Sequence, residues 1–527
     1  MKADLVLKNG EVLTMNRSRP QAQAIAIVKD KIVKVGTNKE VSPWTGSKTR
    51  IINLKGKVVI PGLIDAHIHV ADFGRILTWI DLVNARSIEE IKIKLKHYAE
   101  EKPKGKWIIG QGWNEANLAE KRSPTATELD VSVPENPTIL YHQLRRTCIV
   151  NSRALELAGI TKNTLSPAGG EIEKDPSNGK PTGILHGNAT DLIWKIVPPP
   201  DEEETAEHVK LAFEKIVEAG ITSVHWIAPS FLEIKALLKL REKNQQTPRV
   251  CIILPVSILS EPKIFEAFKE TRDTMLQLCG AIIFEDGALA SRTAALSLPY
   301  NDAATTGKTF YTQEEMDTLI AEVCKNKLQP VVHAMGDKAI NMALNAIEKN
   351  LQWISRKNLR PRIEQAAVLN LETIQHMKKL GTIVSIQPLC VASEFTVWSA
   401  IYYLGTERAR WLYPVKTLMS TGVKVCGGTD CPMETVNIFK QIKAAVTRQY
   451  FSEEQITLDE ALQMYTVNAA YAAHEEAIKG TIEEGKLADL TVISNNPFKT
   501  SPAMLDRIKV EMTVIGGKIV YQRNNNA

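Results

Sequence analysis

The chain has 527 residues, 44% of them hydrophobic and 24% charged, with a net charge of +5. That is a globular composition with room for about two to four domains, or for one large barrel with accessories. It excludes several classes. The positive charge forms no basic block for nucleic acid, and no apolar run approaches the ~20 residues of a membrane helix. Residues 1–5 open no signal-peptide core, and the 7 cysteines, odd in number and without a Cys-x-x-Cys pair, read as reduced thiols of a cytoplasmic protein.

Residues 1–57 read as short strands at 3–7, 24–28 and 32–36, with the turn signal Lys8-Asn9-Gly10 after the first. Their spacing predicts antiparallel sheet. Residues 480–527 repeat the style at 488–493 and 510–521, so the two ends predict one small β-sandwich domain built from both termini. The tail Asn524-Asn525-Asn526 reads as frayed. Between them, 58–479 alternates. Strand-like apolar runs fall at 58–69, 221–226, 249–256, 280–286, 329–333, 361–365, 382–387 and 423–430, and helical patterns such as 207–219 and 313–325 separate the later ones. Eight strands with helical crossovers predict an α/β fold, a parallel (β/α)8 barrel of TIM type. The stretch of about 73–205 exceeds any plain crossover and predicts an inserted subdomain after the first strand. Pro198-Pro199-Pro200 and the acidic run after it mark the return to the barrel.

The first barrel run ends in His67-Ile68-His69. In a strand, residues i and i+2 share a face, so both imidazoles project together, an arrangement suited to chelating a metal. Barrel sites lie at the C-terminal ends of strands. The polar residues closing the predicted strands are therefore the candidates: His67, His69, His225, Asp286, His333, Gln365 and Asp430. His333 closes Gln329-Pro330-Val331-Val332. Asp430 follows Gly427-Gly428-Thr429, where an aspartate also suits a helix cap. His67, His69, His333 and Asp430 together offer three imidazoles and a carboxylate. They make a ligand set for one divalent ion, with zinc first and iron or manganese as alternatives.

Pro61-Gly62-Leu63-Ile64-Asp65-Ala66-His67-Ile68-His69 resembles the opening metal motif of the amidohydrolase superfamily, and 485–490 (Gly-Lys-Leu-Ala-Asp-Leu) resembles its return to the β-sandwich. The stretches 285–296, 332–337 and 362–366 narrow the resemblance to the YtcJ-like branch, which includes N-substituted formamide deformylases. Val150-Asn151-Ser152 in the insert also fits. The resemblance implies a distorted barrel, a composite sandwich and metal-dependent hydrolysis.

The chain departs from that branch at four places. Ile282 stands where the branch carries a lysine, and Gln365 where it carries a histidine. In the insert, Arg146 replaces a histidine and Gly187 a glutamate. The lysine and the strand-six histidine serve the second ion of two-metal members, so the resemblance implies one ion here, as in the superfamily's deaminases. The expected activity is hydrolysis of a carbon–nitrogen bond, of amide or N-acyl or N-formyl type, in a small molecule. Metal-activated water attacks, and Asp430 serves as general base and then acid. Substrate contacts are expected from Gln365, Trp113, Arg146, Arg292, His225 and Asp286. A one-metal deaminase of a ring amine and a catalytically impaired ligand-binding homologue are the alternatives. Barrel enzymes of this kind often form homodimers, but the sequence carries no interface signature.

Overall fold

The computed structural model describes residues 1–143, 146–245, 248–269 and 273–524. Leu144 and Arg145 of the insert, and Asn525 and Asn526 of the tail, lie outside them. The chain divides into two compact units, Met1–Gly74 with Thr205–Ala527, and Arg75–Glu204.

The first unit is built on eight parallel strands. They are β1 (Leu63–Ile68), β2 (Ile221–Ile227), β3 (Arg249–Pro255), β4 (Leu276–Phe284), β5 (Gln329–Ala334), β6 (Arg362–Gln365), β7 (Ile383–Ile386) and β8 (Lys424–Gly427). Each pairs with the next in sequence, and a parallel bridge between Ile68 and Cys431 brings the end of β1 against the chain leaving β8, so the sheet nearly closes as a barrel. Strands buried on both faces read as near-continuous apolar runs, which is why all seven residues of β2, Ile-Thr-Ser-Val-His-Trp-Ile, are buried. Crossover helices cover the outside. Gln313–Lys325 starts at a capping box of Thr312 with Glu315 and buries Met316, Ile320 and Val323, one stripe at four- and three-residue spacing.

The apolar run 58–69 serves two sheets. Val58–Pro61 pairs antiparallel with Leu490–Ile493 and parallel with Glu11–Leu13, whereas Leu63–Ile68 is β1. Gly62 makes the change between them. A Cβ there would lie 2.2 Å from Thr222 Oγ1, so only glycine lets the two chains approach. The sandwich therefore extends through Pro61 and does not stop at 57.

Its two sheets run Lys31–Gly36, Ala24–Val28, Leu5–Lys8, Arg50–Asn53 and Lys518–Gln522, Val510–Ile515, Leu490–Ile493, Val58–Pro61, Glu11–Leu13, Gln21–Ala22. Leu7, Ile25, Val59, Leu490 and Val514 fill the space between. The sheets are mixed and not purely antiparallel, because Leu5–Lys8 pairs parallel with Arg50–Asn53. A buried ion pair fastens barrel to sandwich: Arg249 Nε and Nη2 donate to Asp489 at 2.6 and 2.9 Å.

The second unit, Arg75–Glu204, holds one six-stranded sheet ordered Gly170–Lys174, Pro181–Gly187, Thr147–Val150, Thr138–His142, Ile108–Trp113, Ile80–Asp81. It has its own cores, around Leu95, Trp113 and Leu129 and around Ile139, Leu155 and Leu185.

The cysteines correct one expectation. Cys251 and Cys279, on neighbouring β3 and β4 with Cα atoms 5.7 Å apart, form a disulfide. Cys148, Cys324, Cys390, Cys426 and Cys431 are free and buried. No helix among the described residues is long and apolar enough to cross a membrane.

Candidate metal centre

The site begins with the stitching of β1 to the segment after β8. Asp65, buried in β1, accepts the backbone N–H groups of His67 at 3.1 Å and Thr429 at 2.9 Å, and the Thr429 hydroxyl at 2.6 Å. The Asp430 N–H donates to the His67 carbonyl at 2.8 Å, and the His69 N–H to that of Cys431 at 2.9 Å. Gly428 permits the approach, since a Cβ on it would lie 2.4 Å from His67 Cβ. Asp430 itself takes a left-handed backbone, φ 56°, a conformation that costs a non-glycine residue and concentrates at functional sites.

These contacts bring His67, His69 and Asp430 together. Asp430 Oδ1 lies 3.5 Å from Nε2 of each histidine, and one ligand atom from each residue falls within 4.8 Å of the others. His67 Nδ1 is 2.6 Å from Glu364 Oε2, so its Nε2 is the nitrogen turned to the site. Burial opposes charge on His67, but the Glu364 carboxylate outweighs it and raises its pKa. Burial also opposes charge on Asp430, yet the His69 hydrogen bond and the charges of His67, His69 and His333 hold it below the usual range. His333 lies outside the tight group of three. Its Nδ1 is buried without a hydrogen-bond partner, and burial together with His67 pushes its pKa down to about 4. Two Nε2 atoms, a carboxylate oxygen and a neutral imidazole nearby fit a divalent ion with mixed nitrogen and oxygen ligands.

Gln365, in a left-handed conformation of φ 67°, lies beside Asp430. Its Nε2 donates to Asp430 Oδ2 at 3.4 Å, and its Oε1 accepts from the Tyr413 hydroxyl at 3.4 Å. Cys390 Sγ is 3.9 Å from the same Oδ2. Ile282 is buried inside the barrel with Ile227, Ile253 and Val331, an apolar layer without a ligand atom.

The other sequence candidates sit elsewhere. His225 is fully buried: its Nδ1 accepts from Arg362 Nη1 at 3.0 Å, which requires a neutral ring, and its Nε2 is buried without a hydrogen-bond partner. Asp286 is 2% exposed and accepts three backbone N–H groups, of Met335 at 2.9 Å and of Ala295 and Gly336 at 2.8 Å, so it shapes the loops after β4 and β5 instead of meeting a ligand. Arg292 pairs with Asp302 and stacks over Tyr403 with its guanidinium carbon 4.3 Å from the ring centre, which commits it internally. Trp113 is buried in the second unit's core, its indole N–H on the Leu140 carbonyl at 3.1 Å. Arg146 is exposed on that unit.

Sequence reading passed over Arg362 and Glu364. Both are 0% exposed. Two charged residues alternating inside a barrel strand are an anomaly among buried strand residues, and that was the available signal.

Barrel, composite sandwich and ligand cluster together describe a metal-dependent hydrolase, and the amidohydrolase family pattern matches residues 50–521, so the chain belongs to the amidohydrolase family. It is 33% identical over 540 residues to the putative amidohydrolase YtcJ of Bacillus subtilis, covering 99% of this chain and 100% of that protein. It is 28% identical to the N-substituted formamide deformylase of Arthrobacter pascens, covering 99% of each. Among solved structures, an uncharacterized metal-dependent hydrolase from Pyrococcus furiosus superposes with a TM-score of 0.76 at 28% identity, over 94% of this chain and 100% of the other. The protein is thus a metal-dependent hydrolase of the class acting on carbon–nitrogen bonds.

Proposed function

We propose that the protein hydrolyses an amide-type bond, N-acyl or N-formyl, of a small molecule, using a single divalent ion, zinc first. The observation that carries this reading is the convergence of His67, His69 and Asp430 within 4.8 Å, and the apolar Ile282, buried with Ile227, Ile253 and Val331, supports the single ion. The similarity to a formamide deformylase supports the bond type. A small-molecule substrate, with neither nucleic acid nor membrane as partner, suits the modest net charge.

His67, His69 and Asp430 would hold the ion, with His333 beside them. When bound, a divalent ion lowers the pKa of its water from ~15.7 to ~7 and polarises a carbonyl oxygen. The chain supplies the proton handling. Asp430 Oδ1 faces the histidines, while Oδ2 faces Gln365 and Cys390. Oδ2 is the oxygen left to take a proton from water and return it to the leaving nitrogen. Gln365 steadies that oxygen, and Tyr413 fixes which end of the Gln365 amide faces Asp430, because a hydroxyl donating to Oε1 leaves Nε2 as the donor.

Metal content per chain, measured with product analysis on N-formyl and N-acyl amines, tests the reading. About one ion with release of carboxylate or formate is the expected result. Two ions would overturn the single-ion reading, ammonia from a ring amine would select a deaminase, and no ion after metal-replete expression would overturn the hydrolase itself.

A further inference from the structure

Beneath the ligand cluster lies a charged chain that none of the chemistry above uses. Glu364 Oε2 is 2.6 Å from His67 Nδ1. Its other oxygen pairs with Arg362 Nε. The remaining fork of Arg362 is also occupied: Nη1 lies on His225 Nδ1 at 3.0 Å, and Nη2 donates to Ser385 Oγ at 3.2 Å and to the Ala66 carbonyl. Arg362, Glu364, His225 and Ser385 are all 0% exposed. Breaking a buried ion pair by removing one partner is strongly unfavourable, while a well-packed apolar replacement of both is often neutral or better. Bulk stability alone therefore gives no reason for a carboxylate and a guanidinium at this depth.

Orientation does give one. An imidazole presents a fixed lone pair only when its other nitrogen is held, and metal-ligating histidines commonly give that nitrogen to a carboxylate. The geometry points to Glu364 as a positioning residue for the metal centre: it accepts the hydrogen bond of the His67 Nδ1–H and turns Nε2 toward Asp430 and His69, while the Arg362 fork, set by His225, Ser385 and Ala66, fixes where Glu364 stands. The inference rests on the reading of the cluster as a metal site. It assigns β2, β6 and β7 a share in aiming a ligand carried by β1. His69 is 30% exposed against 4% for His67, so His67 is the anchored ligand of the pair and His69 the adjustable one.

The test is zinc affinity of the intact protein, by competition with a chromogenic chelator, in the wild type, Glu364→Gln, Glu364→Asp, Arg362→Lys and His69→Asn, with folding checked by circular dichroism and the thermal midpoint of the metal-free form. Long-range 15N–1H spectra of histidine-labelled protein read the His67 tautomer without any metal. Loss of outer partners to ligands weakens metal binding about 10–100-fold. Glu364→Gln is expected to weaken zinc by that factor and to reduce the Nδ1–H form of His67. Arg362→Lys, which keeps charge but loses the fork, should weaken zinc to a smaller degree, and Glu364→Asp should recover part of the affinity. Zinc affinity within twofold of wild type in a folded Glu364→Gln protein would overturn the inference and leave the hydrolase reading intact. A wild type without zinc affinity would overturn both. If Glu364→Gln fails to fold, Arg362→Lys and the wild-type tautomer decide: an Nε2–H His67 in the wild type overturns the inference.

Discussion

Asp65 accepts both the backbone N–H and the hydroxyl of Thr429, at 2.9 and 2.6 Å, and so joins the first barrel strand to the residue that precedes Asp430. Burial pushes the Asp65 carboxyl up to about 6 in spite of these bonds. An unmet partner there is costly, because a buried acceptor deprived of its donor loses about 1–3 kcal/mol.

Thr429→Val keeps the shape and removes the hydroxyl. Its expected cost is about 1–3 kcal/mol, with a fall in metal occupancy because the Thr429 hydroxyl joins Asp65 to the Cys431 N–H, 3.1 Å away, across Asp430. Denaturant unfolding and metal analysis on the same preparation check it. Unchanged occupancy would show that the stitch is structural only.

Gln365→His restores an imidazole beside Asp430 but not the lysine position, where Ile282 offers no ligand atom. The expected metal content stays at one ion per chain, read by elemental analysis. A gain to two would show that Ile282 is not the barrier.

Asp430→Asn removes both a ligand and the proton carrier. Positioned acid–base groups contribute about 10²–10⁴-fold, so turnover is expected to fall by at least that factor in steady-state assays. Retention of a tenth of wild-type turnover would exclude Asp430 from proton transfer.

The metal-free protein should lose stability in mild acid. His333 has a folded pKa of about 4 against a reference of 6.5, lowered by burial first and by His67 second. The unfolded chain therefore binds the extra proton across this range, and stability falls as pH drops from about 6.5 toward 4. His333→Asn removes that share of the slope. Urea midpoints at several pH values, compared between the two proteins, measure it, and parallel curves would refute the assignment.

Arg249→Met leaves Asp489 buried without its partner. Breaking such a pair costs about 3–5 kcal/mol, and Gly516 N–H, 2.8 Å from Asp489 Oδ1, is the remaining donor of this group. Unfolding by denaturant should show the loss, with metal content unchanged in the folded fraction.

Much of this molecule is legible in its sequence because parallel barrel strands are buried on both faces. Each of the eight strands falls in or across a predicted apolar run, and the two-residue period of β1 places His67 and His69 together. What sequence cannot give is occupancy. His225, Asp286 and His333 all lie in or follow apolar strands, yet Arg362 takes Nδ1 of His225 and three backbone N–H groups take Asp286, whereas His333 Nδ1, like His225 Nε2, is buried without a hydrogen-bond partner. Arg362 and Glu364 were visible as letters in a motif, but their meaning depends on residues 66, 67, 225 and 385, which the chain supplies from three other strands. Cys251 and Cys279, 28 residues apart, carry no pairing signal until β3 and β4 lie side by side.

The single glycine between Pro61 and Leu63 makes the terminal sandwich a ruler for the metal centre. Strand register is quantised, and a slip of one residue sends every side chain to the opposite face. Val58–Pro61 is held in register by Glu11–Leu13 on one side and by Leu490–Ile493 on the other, and five residues after Gly62 stands His67. The newborn chain thus carries its first ligands hundreds of residues before the second of the two strands that set their phase. Assembly of the C-terminal strands, and not closure of the barrel alone, completes the aim of the site.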